Sequence, residues 1–125
     1  MRFMPRSTVL KCVFGAALMT NLVCANAAEV NFYGLALSKV RAVGDYTGTT
    51  FDNTLELYFT TPLVWPAGSP CVSTDRVFIN ANNMHLVAAA YLALSKGRKV
   101  DINIDPTLPI RYGACEISYI DLGAG

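Results

Sequence analysis

From Glu29 onward, short apolar runs recur between polar breaks, and their periods predict five strands and one helix. Val30 to Val43 is rich in Val, Phe, Tyr and Leu and reads as one long strand, or as two joined at a kink. Gly34 stands where a bulge would bend it. Gly44-Asp45-Tyr46-Thr47-Gly48 is a turn or hairpin loop. The clearest period of two follows, with Phe51, Leu55, Leu57 and Phe59 alternating with Asp52, Thr54, Glu56 and Tyr58. Thr61 to Pro70 breaks regular structure with Pro62, Pro66, Gly68 and Pro70, and Arg76 to Ile79 is a short third strand.

Asn80 to Asn83 marks a helix start, because Asn is a favoured N-cap whose side chain accepts an orphan backbone N–H. Met84 to Lys96 holds neither Pro nor Gly; Gly97 is the expected C-cap, and Lys96, Arg98 and Lys99 complement the negative helix end. Val87, Tyr91 and Leu94 form one stripe of that helix, and Leu86, Ala89, Ala90 and Ala93 a second with smaller side chains. A helix with two such stripes is expected to touch protein on both sides. Val100, Ile102 and Ile104 alternate with Asp101, Asn103 and Asp105 as a fourth strand, and Ala114 to Leu122 is a fifth, with Cys115 early in it. The order β-β-β-α-β-β predicts a mainly β fold with one helix (α+β), and the oligonucleotide/oligosaccharide-binding (OB) barrel has that order.

The N-terminus changes the count of usable residues. Arg2, Arg6 and Lys11 precede the apolar run Cys12 to Met19, and Ala25-Asn26-Ala27 ends in small residues, the layout of a cleavable signal peptide over residues 1–27. The run is shorter than the roughly 20 apolar residues a bilayer span needs, so no membrane span is expected after its removal. Residues 28–125 would then form a single domain, secreted or periplasmic. They keep seven basic and nine acidic residues, a net charge of −2, which argues against nucleic-acid binding by bulk electrostatics. Cys71 and Cys115 are the two cysteines left, and an even pair in an oxidising compartment predicts a disulfide.

Motifs for chemistry are scarce. Asp101 to Asp105 opens like a calcium loop, but Pro106 and Tyr112 stand where that loop needs Gly and Glu, and the intervening isoleucines fit a strand. His85 is the single histidine and has no partner in sequence to orient it as a base. No zinc spacing, phosphate loop or serine-hydrolase elbow occurs, so neither an enzyme nor a cofactor or metal is expected. Several tyrosines and Trp65 fall in or beside loops, where amphipathic rings suit carbohydrate or protein ligands. Trp65 and Tyr112 are the candidate ligand-binding residues; the prolines around Trp65 are expected to keep its loop out of the sheet.

From Cys71 onward the chain resembles the B (binding) subunits of AB5 toxins of the subtilase-cytotoxin and typhoid-toxin type. The residues that carry this are a cysteine, a short strand, a helix ending in Leu94-Ser95-Lys96-Gly97, the strand Arg98 to Ile104, and the late Gly113-Ala114-Cys115. The resemblance covers about half of residues 28–125. It implies an OB-like barrel, ring-shaped pentamerisation and recognition of surface glycans. No residue of that family's sugar pocket is transferred, because the N-terminal half shows no matching pattern. In a ring, the helix would supply the contact between subunits, with Ala89 and Ala93 allowing close approach. The expected function is a non-catalytic module that recognises a glycan or a protein. The alternative is a small monomeric envelope protein acting as an inhibitor or structural component.

Overall fold

A computed structural model describes residues 28–123; the expected signal peptide, with Cys12 and Cys24, lies outside the described residues. Five strands and one helix follow in the predicted order: β1 (Val30–Val43), β2 (Thr54–Phe59), β3 (Arg76–Asn80), α1 (Met84–Lys96), β4 (Lys99–Ile104) and β5 (Ile117–Leu122). All ladders are antiparallel and the strand order across the sheet is β3-β2-β1-β4-β5.

The length of β1 explains the architecture. Its first half pairs with β4 and its second half with β2, and a register shift interrupts each ladder, between Phe32 and Leu35 and between Leu37 and Lys39. Gly34 lies in the first shift at φ 65°, and its N–H donates to Asp101 Oδ1 at 2.7 Å. An extra residue of this kind bends a strand and sharpens its twist, which lets one strand serve two halves of a coiled sheet. The two sheet edges come together at one parallel bridge between Phe78 and Glu116, where Phe78 N–H donates to the Cys115 carbonyl at 3.1 Å. The result is an OB-like, partly open barrel, with no ladder joining β3 to β5 among the described residues.

Period-two alternation fills its interior. Leu55 and Leu57 of β2, Val77 and Ile79 of β3, Val100, Ile102 and Ile104 of β4 and Ile117 of β5 are all buried in one core. Helix α1 packs on β1 and β5 through Leu86, Ala90 and Ala93. The small-residue stripe therefore faces inward, and Ala93 is 0 % exposed. It is occupied by its own chain's core, so Ala93 cannot form the expected contact with a neighbouring subunit. Ala89 is half-buried, while Tyr91, predicted on a packed stripe, is exposed. Small side chains are what allow a helix to sit close on a sheet, and that use accounts for them.

Three local expectations are corrected. Asn83 makes no side-chain cap; its backbone carbonyl instead accepts from the N–H groups of Leu86 and Val87. Phe51 belongs to the β1–β2 loop rather than to β2. Cys115 precedes β5 instead of lying within it, because a tight turn at 111–114 delays the strand. The C-cap is as expected, with Gly97 left-handed at φ 60° and the Arg98 N–H returning to the Ala93 carbonyl.

Candidate functional site

The outward-facing positions of β1, β2 and β3 carry interleaved charged and aromatic side chains, with Glu56 and Phe78 buried among them and Lys39 and Arg41 exposed at the β1 end. Register places Arg41 opposite Glu56 and Glu56 opposite Phe78; one pair along, Lys39, Tyr58 and Arg76 align in the same way. Cross-strand neighbours on one face touch, so the six side chains form a single patch. Two loops extend it, the β1–β2 loop with Phe51 and the β4–β5 loop with Arg111 and Tyr112.

A continuous series of contacts runs through the patch. The Tyr112 ring stacks on Phe51, with centroids 5.1 Å apart and planes 16° from parallel. The Arg76 guanidinium lies 5.1 Å from the Phe51 ring centre and 6.0 Å from that of Tyr58. Lys39 Nζ stands 4.1 Å above the Tyr58 ring, with the Arg41 guanidinium at 5.3 Å. The Arg111 guanidinium covers Phe78 at 5.1 Å. Rings and cations attract through the ring quadrupole, so the series holds itself together.

One carboxylate organises the cations. Glu56 is 2 % exposed; its Oε2 accepts from Arg41 Nη1 at 3.1 Å and from the Tyr58 hydroxyl at 3.0 Å, and Arg76 Nε lies 3.6 Å from Oε1. Arg76 Nη1 also donates to the Tyr58 hydroxyl at 3.3 Å, whereas its buried Nε has no hydrogen-bond partner among the described residues. Burial works against the Arg76 charge, but the Tyr58 hydroxyl and Glu56 outweigh it, and the guanidinium is held more firmly cationic than usual. A second carboxyl, Glu116, borders the patch; burial pushes its pKa up, against the pull of Arg111 and of the Asn80 backbone.

The turn that presents Tyr112 is tightly fixed. Arg111 and Ala114 exchange both backbone hydrogen bonds, at 2.9 and 3.0 Å, across Tyr112 and Gly113. Both central residues have positive φ, 47° and 73°, the pattern of a type I′ hairpin turn. Glycine suits that backbone and tyrosine does not, so Tyr112 is held in a strained position. Arg111 Nη1 clamps the neighbouring loop by donating to the carbonyls of Thr50 and Asp52. Behind the turn, the Cys71–Cys115 disulfide (Cα–Cα 5.6 Å) and two 2.9 Å bonds, from Val72 and Ser73 N–H to the Gly113 carbonyl, tie it to the chain entering β3. Tyr112 nevertheless remains 73 % exposed.

Trp65, paired with Tyr112 from sequence, is not part of this patch. Its ring meets Phe32 edge-on at 5.0 Å, its Nε1 donates to the Ser73 carbonyl at 2.7 Å, and it packs half-buried against the core. The loop stays out of the sheet as expected, yet it still packs inward, because the neighbouring Leu63 inserts into the core and its N–H donates to the Thr74 carbonyl at 2.7 Å. Lys39, Arg41, Phe51, Glu56, Arg76 and Arg111 were missed as site residues. The signal was present in the charged and aromatic residues at alternate positions of three consecutive strands, but it becomes a patch only once the register is known.

The other half of the sheet exposes a different surface. Asn103 Nδ2 donates to Asn31 Oδ1 at 2.8 Å and to Glu29 Oε2 at 3.2 Å, and the Tyr119 hydroxyl reaches Asn31 Oδ1 at 3.1 Å. Asp101 lies opposite Asp121 on the same face. Among the described residues no three His, Cys, Asp or Glu side chains are placed to hold a metal ion, and no helix is long and apolar enough to cross a membrane. No family model, no curated protein and no solved structure matches the chain.

Proposed function

We propose that this protein is a non-catalytic binding module of the secreted or periplasmic space, and that its ligand, a glycan or a protein, docks on the outer face of β1–β2–β3 beside Tyr112. The observation that carries this reading is Tyr112 itself, a ring stacked on one side, open on the other, and held at φ 47° by a turn anchored through a disulfide. An exposed ring kept in an unfavourable backbone conformation is more easily understood as a contact surface than as a packing element. The OB-type strand order supports the placement, since such barrels bind on the face of their second and third strands and between the β1–β2 and β4–β5 loops. The resemblance to toxin binding subunits supports the glycan version of the reading.

The test is a glycan-array screen of the oxidised protein together with its Tyr112→Ala variant. Truncating the ring should weaken the best ligand about tenfold, corresponding to about 1.4 kcal/mol, with the circular-dichroism spectrum unchanged. Binding that survives the truncation undiminished would place the site elsewhere.

A further inference from the structure

We infer that the ligand of this face is a linear polyanionic polysaccharide lying along the row of cations formed by Lys39, Arg41, Arg76 and Arg111. This rests on the binding-module reading above and goes beyond it in naming the chemistry. Four of the seven basic residues in 28–125 are gathered here; the other three, Lys96, Arg98 and Lys99, sit together at the end of α1 and the start of β4. A chain with a net negative charge thus concentrates most of its positive charge on one face. Glu56 is the buried carboxylate among these cations and faces two of them; Asp75 lies near Arg76 and Glu116 near Arg111, which leaves Lys39 without a carboxylate partner among the described residues. Arginine favours oxyanions, carboxylate, sulfate or phosphate, through its planar fork of donors.

The shape of the row selects an extended ligand. Its cations come from β1, from β3 two strands away, and from the turn beyond, and neighbouring strands stand about 4.8 Å apart. The row is therefore on the order of 10 Å long before the turn is counted, which matches charges repeated along a chain better than a single anionic group. The rings decide between a polysaccharide and a single-stranded nucleic acid. Nucleic-acid platforms need open aromatic faces on which successive bases stack. Here Tyr58 is covered by Lys39 and Arg41, Phe51 by Tyr112 and Arg76, and Phe78 by Arg111. Only Tyr112 is free at the end of the series, enough for one sugar ring.

Titration of the oxidised protein with heparin (sulfate) and polygalacturonate (carboxylate), with dextran as a neutral control and single-stranded oligothymidylate as a competing polyanion, tests this. Heparin or polygalacturonate should bind, dextran should not, and affinity should fall about tenfold or more between about 50 and about 200 mM salt. Lys39→Gln, an exposed change unlike one at Arg76, should weaken binding about threefold to tenfold, whereas Lys99→Gln, equal in charge but on β4 outside the row, should have a clearly smaller effect. Equal losses in the two variants, or tighter binding of oligothymidylate than of either polysaccharide, would overturn the inference. Dextran binding that Tyr112→Ala abolishes would overturn the polyanion while leaving the binding face standing; no saccharide binding at all would remove both.

Discussion

The sheet has two outer faces that share one strand and little else. On the β1–β2–β3 side, cations and aromatic rings interleave around a buried glutamate; on the β1–β4–β5 side, Glu29, Asp101 and Asp121 surround Asn31, Asn103, Tyr33 and Tyr119. The change occurs within β1, between its two register shifts, where it exchanges β4 for β2 as its partner. The difference also shows in how the side chains are held. The acidic side is built on an amide network in which the buried Asn103 bonds Asn31, Glu29 and Ser118, while Tyr33 beside it is 72 % exposed. Its Tyr119 hydroxyl is pushed up in pKa, first by desolvation and then by Asp121, Tyr33 and the nearby carboxylates, so it stays a neutral donor. The basic side instead sets its exposed ring, Tyr112, beside four cations, with Glu56, Asp75 and Glu116 as their carboxylate neighbours. Both sides expose a tyrosine ring, and they differ in the sign of the charge gathered around it.

The largest perturbation should separate the two sides. The disulfide spans 44 residues and fixes the 111–114 turn, at the entry to β5, to the segment before β3. Replacing both cysteines, Cys71→Ser with Cys115→Ser, should cost about 4 kcal/mol on the chain-entropy account. Hydrogen exchange should then rise in β3 and around Tyr112 well before it rises in the β1–β4 ladder. A uniform loss of protection across both halves would show that the sheet opens as a unit and that the disulfide does not serve one face in particular.

The division was half visible beforehand. The element order, the bulge at Gly34, the extent of α1 and the cysteine pair were legible because they depend on local signals: period, cap, kink and redox pairing. Tyr112 was singled out as a loop aromatic, and it does lie on the basic face. Trp65 was singled out by the same reasoning and lies against the core, because whether a loop ring turns inward depends on Phe32 and Leu63, far away or unremarkable in sequence. Ala93 failed likewise, since a small-residue stripe looks the same whether it meets a sheet or another subunit. The basic residues could not be grouped at all before the register aligned Lys39 with Tyr58 and Tyr58 with Arg76.

Two glycines sharpen the contrast with smaller effects. Gly34 on the acidic side and Gly113 on the basic side both hold positive φ, at 65° and 73°. A Cβ at Gly34 would meet nothing within 4 Å, whereas at Gly113 it would collide with Val72 Cγ2. Gly34→Ala should therefore cost only the left-handed backbone penalty, about 1 kcal/mol, while Gly113→Ala should cost about 2 kcal/mol, the excess coming from displacing Val72. Urea denaturation of the two variants reads the difference, and equal losses would mean that Val72, exposed as it is, swings aside freely.

The smallest effect concerns the seam where the barrel edges meet. Glu116 is raised in pKa mainly by burial, so the folded chain prefers its neutral form. A carboxyl raised on folding adds stability below its ordinary, unfolded pKa and loses that contribution as pH climbs through the higher folded value. At pH 7 the ionised Glu116 is therefore less favourable in the fold than a neutral side chain of the same shape. Glu116→Gln should raise the melting temperature by a few degrees at neutral pH, a gain below about 1 kcal/mol, and the two proteins should converge near pH 4. A variant less stable at pH 7 would show the reverse balance, with attraction to Arg111 exceeding the burial cost. The seam would then belong electrostatically to the basic face, and the boundary between the two faces would lie beyond β3 rather than at the Phe78–Glu116 bridge.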